Sequence, residues 1–193
     1  IIIMNIAIYN SSYIEKISYD KNIEFFKEKF NINCEKIKID DIISDKLLNY
    51  DLFIIPGGKL LYLQHEIGYN GKIKIIEYLQ KGGKYIGICA GCFFATKTLH
   101  FMDEKISSPN FLQLFKSCKG IKDEIKKEII TDSGGKILYW NGPIEISCSN
   151  DWNILDTISG DPCTFMRNNI LLFTCHPELN NYDYYLKYIQ HIL

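Results

Sequence analysis

The stretch Gly87-Ile88-Cys89-Ala90-Gly91 decides the fold expected of this chain, because it places a thiol where an apolar run meets a predicted helix. The apolar residues at 85–88 predict a buried strand that ends at the cysteine. Flanking glycines allow the strained strand-to-helix turn of a nucleophile elbow, which leaves the nucleophile accessible. The elbow usually carries serine, so Cys89 predicts thiol chemistry.

A second motif lies near the C-terminus, where the apolar run at 170–173 leads into Thr174-Cys175-His176-Pro177-Glu178. A histidine can act as the base for a thiol, and a carboxylate can orient the imidazole. If this segment remains extended, residues two apart face the same way, which places Glu178 behind His176. The two motifs together predict a Cys89-His176-Glu178 triad.

Length and composition limit the possible functions. The 193 residues, of which 47% are hydrophobic and 23% charged, predict a single domain over residues 1–193 with a sizeable core. A net charge of -1 gives no reason to expect a nucleic acid or an anionic membrane as a partner. The sequence has no run long enough to span a bilayer and no signal-peptide pattern. We therefore expect a cytoplasmic protein that acts on a small molecule or a protein.

Cysteine usage gives a further constraint. The seven cysteines are odd in number and irregularly spaced, which predicts reduced thiols rather than a disulfide framework. Only Cys89 and Cys92 are spaced like a pair of zinc ligands, so we predict no metal site and no cofactor. A Cys-x-x-Cys at a helix start is also typical of a redox pair, and that alternative stays open.

The hydrophobic pattern predicts an α/β fold. Strands at 5–9, 34–39, 51–55 and 85–88 alternate with helices at 18–30 and 71–80, and this order is typical of a mostly parallel sheet with helices on both faces, as in a flavodoxin-like sandwich. Ligands bind beyond the carboxyl ends of such strands. From about 101 to 161, turn residues break short apolar runs, which predicts a β-rich section inserted in the same domain. Strands at 152–158, 164–167 and 170–174 and a Tyr-rich helix from 182 complete the chain.

The Gly-Ile-Cys-Ala-Gly elbow and the late His-Pro-Glu resemble the class I glutamine amidotransferases, and the likeness covers nearly the whole chain. More narrowly, the segments at 9–10, 56–58, 82–94 and 139–143 resemble the amidotransferase-like N-terminal domain of eukaryotic biotin-protein ligases and its stand-alone bacterial relatives. The chain has no Gly-Arg-Gly-Arg-type loop for biotinyl-adenylate and no room for a ligase domain. We therefore expect no ligase activity.

The resemblance implies a role for each matching residue. Cys89 would be the nucleophile, His176 the base and Glu178 its orienter, while Gly58 and Ala90 would form the oxyanion hole. Residues in or after the glycine loop and in the predicted hairpin, which could cover the site, are candidate substrate contacts: Gly57, Tyr62, Asn141 and Gly142.

Two function classes remain open at this point. The first is an amidase or amidotransferase-like enzyme that acts on glutamine or a γ-glutamyl amide, with a separate synthetase or ligase to receive ammonia. The second is a non-catalytic module on the same fold that binds a ligand or a partner. A pocket blocked by Phe93, Phe94 or Tyr62 would favour binding.

Overall fold

The computed structural model describes residues 4–95, 115–119, 126–140, 145–148 and 152–193. The described strands are β1 (Ile6–Tyr9), β2 (Glu35–Ile37), β3 (Leu52–Ile55), β4 (Lys84–Ile88), β5 (Phe115–Lys119), β6 (Lys126–Ile130), β7 (Lys136–Trp140), β8 (Glu145–Cys148), β9 (Asn153–Ile158), β10 (Asp161–Arg167) and β11 (Ile170–Phe173). The described helices are α1 (Lys16–Phe30), α2 (Ile39–Ile43), α3 (Leu60–Gln80), α4 (Ala90–Phe93), α5 (Pro177–Asn180) and α6 (Tyr182–Ile189), with a 3-10 helix at Lys46–Asn49.

Seven of the described strands form one sheet in the order β2-β1-β3-β4-β11-β10-β9. The pairs from β2 to β11 are parallel, whereas β10 pairs antiparallel with both of its neighbours. Every residue of β1, β3 and β11 is buried, because parallel strands are covered on both faces. The predicted α/β class and mostly parallel sheet are confirmed.

The direction of the crossovers decides which face each helix covers. From β1 the chain moves outward to β2, and it then returns across β1 to β3 and β4. Because such crossovers are right-handed, α1 lies on one face and α2 and α3 lie on the other. In agreement, α2 packs against α3, and Phe25 of α1 packs against Tyr185 of α6 with ring centroids 4.4 Å apart.

The carboxyl ends of β1, β3, β4 and β11 lie at one edge of the sheet, where the site is expected. The strand order reverses between β1 and β3, and such a reversal opens a crevice beyond the carboxyl ends of the sheet. β4 lies between β3 and β11, with Ile88 in register with Phe173. The elbow after β4 and the His-Pro-Glu motif after β11 therefore lie side by side.

Residues 101–161 contribute short antiparallel pairs where they are described, namely β5 with β8 and β6 with β7. The β6–β7 hairpin is joined to the main body by the His176 N–H, which donates to the carbonyl of Leu138 at 2.7 Å. This bond helps to place the end of β7, which includes Trp140, next to the elbow.

The helix expected at 71–80 forms the second part of α3, whose first part was not predicted and buries Leu63 and Ile67. The two parts meet at a kink at Gly68, which leaves helical geometry with φ 58° and ψ −170°. The part after the kink begins close to the expected boundary. Among the described helices, none is long and apolar enough to cross a membrane.

A candidate cysteine active site

Cys89 lies at the turn between β4 and α4 in a strained backbone conformation, with φ 48° and ψ −101°. A residue with a side chain is rarely held in this region, and the cost is about 1–3 kcal/mol. The turn closes because Gly91 approaches the backbone so closely that a Cβ there would overlap the carbonyl oxygen of Ile55. The local geometry is therefore that of a nucleophile elbow.

The Cys89 side chain has two polar neighbours. Its Sγ lies 3.3 Å from the carbonyl oxygen of Trp140, to which a thiol proton can be donated. The side chain also interacts with the His176 imidazole through charge and hydrogen bonding.

His176 and Glu178 form a buried pair behind the sulfur. His176 Nδ1 lies 2.9 Å from Oε1 of Glu178, and the two residues are 1% and 0% exposed. Burial alone lowers the pKa of His176, but the charges of Glu178 and Cys89 outweigh it and raise the pKa to about 10. An imidazolium is therefore favoured between a carboxylate and the cysteine.

The contact between His176 and Glu178 arises differently from the predicted one. The strand ends at Phe173, and α5 begins at Pro177, so the segment is not extended. His176 stands before the first turn of α5 and Glu178 lies within that turn, which still brings the two side chains together. The expectation of an extended segment was wrong.

The carboxylate of Glu178 is held by Ser18, a residue in the first turn of α1. The Ser18 hydroxyl donates to Glu178 Oε1 at 2.6 Å and accepts the N–H of Gly57 at 3.1 Å. Ser18 is completely buried. No local pattern indicates this contact, because Ser18 and Glu178 lie 160 positions apart.

The glycine loop after β3 lies beneath His176 and beside Cys89. A Cβ on Gly57 would overlap Cε1 of His176, so the imidazole rests directly on this glycine. The loop is fixed to the segment before α1: the Gly57 carbonyl accepts the N–H of Glu15, and the Lys59 N–H donates to the carbonyl of Tyr13. Gly58 lies between these two bonds, which hold it in the wall of a cavity above Cys89.

A cavity of about 240 Å³ opens at the carboxyl ends of the strands, above Cys89. Trp140 forms one wall, and its ring centroid lies 5.8 Å from that of His176. Phe93 also lines the cavity without closing it. The described lining residues are Glu15, Gly58, Lys59, Leu60, Cys89, Ala90, Phe93, Trp140 and His176.

The structure places most of the expected site residues together. Cys89, His176, Gly58 and Ala90 face the cavity, and Glu178 lies behind His176. The candidate substrate contacts are distributed differently. Gly57 lies beneath His176, and Tyr62 is 57% exposed, stacks on Tyr13 and does not line the cavity. Asn141 and Gly142 fall outside the described residues.

Three cysteines outside the cavity have raised thiol pKa values. Burial raises the pKa of Cys34 and Cys163 to about 12, and that of Cys175 well above its usual range. These three thiols remain protonated and unreactive near neutral pH. Within the ranges that the structure covers, no cluster of three or more His, Cys, Asp or Glu side chains is arranged to hold a metal ion.

Solved structures resemble this fold along most of its length. A glutamine amidotransferase matches with a TM-score of 0.68 over 96% of this chain and 98% of its own, at 15% identity. A glutamine amidotransferase from Thermotoga maritima matches with a TM-score of 0.53 over 91% of this chain and 76% of its own, at 16% identity. At these identities the likeness establishes the fold.

Sequence comparisons identify relatives and a family. The pyridoxal 5'-phosphate synthase subunit PdxT of Listeria innocua is 23% identical over 150 residues, which cover 75% of this chain and 80% of that subunit. An uncharacterized protein of Chlamydia muridarum is 36% identical over 52 residues, which cover 27% of this chain and 20% of that protein. The family model described as "Biotin-protein ligase, N terminal" matches residues 4–122. Since this match spans more than half of the 193 residues, the chain belongs to the biotin-protein ligase N-terminal family, on a glutamine amidotransferase-like fold.

Proposed function

We propose that the chain is a cysteine-dependent amidase of the glutamine amidotransferase type. The observation that carries this proposal is the buried contact of His176 with Glu178 at 2.9 Å, beside an elbow cysteine that opens into a cavity. A structural histidine does not need a buried carboxylate on one side and a strained cysteine on the other. A nucleophile, a base and an orienting group do need this arrangement.

In the proposed reaction, the Cys89 thiolate attacks the carbonyl carbon of a side-chain amide. The N–H groups of Gly58 and Ala90 stabilise the oxyanion that forms, and the N–H of Ala90 is suited to this because the first position of a helix has no intrahelical acceptor. The C–N bond then breaks, and His176 gives its proton to the leaving nitrogen, which departs as ammonia. Water, deprotonated by His176, hydrolyses the Cys89 thioester to the acid and restores the thiol.

The fold and the relatives support an amide of the glutamine type as the proposed substrate class. Glutamine or a γ-glutamyl amide is the proposed substrate, because the fold is that of the glutamine amidotransferases. The PdxT relatives are named as subunits of a synthase, so a separate synthase that receives ammonia is the proposed partner. Ligase activity is not proposed, since the match is to the N-terminal part of biotin-protein ligases.

The test is the release of ammonia from glutamine and of the aniline from γ-glutamyl anilides, with intact-mass detection of an acyl group on the protein. We expect turnover by the wild type and by Cys34→Ser, a control that removes a thiol far from the cavity. We expect none from Cys89→Ser, and a loss of at least about 100-fold in His176→Gln. Turnover that survives in Cys89→Ser would overturn the proposal.

The same assay separates the enzyme from the binding module. A module of that kind binds the amide in calorimetry but releases no ammonia and carries no acyl group. The cavity favours the enzyme, because Cys89 lines it and, of Phe93, Phe94 and Tyr62, only Phe93 is among its described lining residues.

A further inference from the structure

We infer that Ser18 is a positioning residue of the site, one that fixes Glu178 and the glycine loop at the same time. This inference rests on the proposed function, because it assigns Ser18 to the triad proposed above. Ser18 touches neither the cavity nor Cys89, and it acts through the residues on either side of it.

The hydrogen bonds of Glu178 all converge on one oxygen. Oε1 accepts the Ser18 hydroxyl at 2.6 Å and faces His176 Nδ1 at 2.9 Å. Oε2 is buried and has no hydrogen-bond partner among the described residues. The rotation of the carboxylate is therefore set by two contacts, and Ser18 is the one that does not take part in the proposed reaction.

Ser18 also connects the carboxylate to the loop beneath the imidazole. Its oxygen accepts the N–H of Gly57 at 3.1 Å, and the His176 ring rests on Gly57. The hydroxyl thus relays a chain of hydrogen bonds from Gly57 to Glu178. His176 is held from both ends of this chain, by packing at Gly57 and by a hydrogen bond at Glu178.

The helix that carries Ser18 is itself fixed. The Asn22 amide donates to the Ser18 carbonyl at 2.8 Å, and Tyr185 of α6 donates to the Asn22 side-chain oxygen at 2.7 Å. All three side chains are buried. This buried network holds the backbone of Ser18 in place, so the hydroxyl meets Glu178 from a fixed position.

Two physical effects of the hydroxyl have opposite signs, which makes the inference testable. A hydroxyl that only withdraws charge from the carboxylate weakens the attraction between Glu178 and a protonated His176, so its removal would raise the pKa of the histidine. A hydroxyl that positions the carboxylate strengthens that attraction, so its removal would lower the pKa.

The experiment is an NMR titration of ¹⁵N-histidine-labelled protein, in the wild type and in Ser18→Ala. We expect the His176 titration midpoint to fall by about one pH unit in the variant. Iodoacetamide labelling of Cys89 at neutral pH should also slow by about 10-fold, because an imidazolium that is held less firmly beside the sulfur stabilises the thiolate less. A midpoint that stays unchanged or rises would overturn the inference.

The matched control is Ser133→Ala. Ser133 likewise donates to a carboxylate at 2.6 Å, that of Asp156, but outside the cavity. We expect this variant to leave both readouts unchanged, so a shift there as large as in Ser18→Ala would overturn the inference as well. The histidine titration does not depend on turnover. A lowered midpoint in an inactive protein would therefore refute the proposed function and support the role of Ser18.

Discussion

The imidazole of His176 occupies the space that a side chain at Gly57 would need. Gly57 is therefore required by its small size rather than by an unusual backbone angle, since its φ is not in the left-handed region. A single added methyl group would displace the imidazole without removing any polar group of the site. The position of His176 can thus be tested separately from its chemistry.

Gly57→Ala should displace His176 from between Cys89 and Glu178. We expect alkylation of Cys89 at neutral pH to slow by about 10- to 100-fold, because a small misplacement of a catalytic group can cost about that much. Gly83→Ala is the control, since its Cβ would overlap the ring of Tyr78, before β4. The control should lose stability by a similar amount and label at the wild-type rate. Equal labelling rates in Gly57→Ala and wild type would contradict the prediction.

Trp140 should limit the size of the reagent that reaches Cys89. Its ring forms a wall of the cavity, and Cys89 is only 7% exposed. In Trp140→Ala we expect labelling by a bulky maleimide to accelerate by about 10-fold relative to iodoacetamide, because a lost wall favours the larger reagent more. Trp140→Phe keeps an aromatic wall and should stay near the wild-type ratio. An unchanged ratio in Trp140→Ala would mean that access runs elsewhere.

The charge of His176 should appear in the pH dependence of stability. Its pKa is raised from 6.5 to about 10, so the folded state holds a proton that the unfolded chain releases. The stabilisation is complete below about pH 6.5 and is lost as the pH rises through the folded-state pKa. In Cys89→Ser, where no thiol titrates beside the ring, the free energy of unfolding should fall by about 1–3 kcal/mol over this range.

Denaturant unfolding between pH 6 and pH 10 measures this loss. Because Cys89 contributes to the raised pKa, the decline in Cys89→Ser should end below pH 10. The double variant Cys89→Ser/His176→Gln should be flat over the same interval. A single variant as flat as the double variant would show that the folded state holds no extra proton on His176.

Asp156 should stabilise the fold away from the site. Its carboxylate accepts hydrogen bonds from Ser133 and from the Tyr184 hydroxyl at 3.0 Å. Burial alone raises the pKa of Asp156, but these bonds outweigh it and hold the pKa below its ordinary value. Asp156→Asn should cost about 1–3 kcal/mol at pH 7, and the difference should shrink as the pH falls through the folded-state pKa. The exposed Asp183→Asn is the control and should change stability by less than about 1 kcal/mol.

Local sequence patterns predicted the strands of the main sheet and the turn and helix that follow them. The elbow at Cys89, the buried strands and the helix from Tyr182 were visible in the sequence because periodicity and glycine positions act over a few residues. The first half of α3 was not predicted, because local patterns do not show tertiary packing. Gly68 and Gly71 are poor helix formers, and the burial of Leu63 and Ile67 comes from contacts with the rest of the fold.

The candidate site was predictable only as far as its motifs. Cys89 and His176 could be paired because each follows a strand, and parallel strands end at the same edge of a sheet. Ser18 could not be found in this way, because its role depends on α1 packing against α5. The approach of Trp140 to the sulfur depends on a hairpin that is held by long-range hydrogen bonds, among them the bonds of Leu138 with His176 and with Asn180.

The pairing of β4 with β11 also sets when in folding the site can exist. Ile88 and Phe173 pair across a long stretch of chain, and contacts of such separation close late because of their entropy cost. A chain that has formed only the β2-β1-β3-β4 part of the sheet carries Cys89 and Gly58 but has no imidazole beside the thiol. The pair of thiol and imidazole therefore belongs to the finished protein alone, and a labelling rate at Cys89 that depends on His176 would report completion of the sheet.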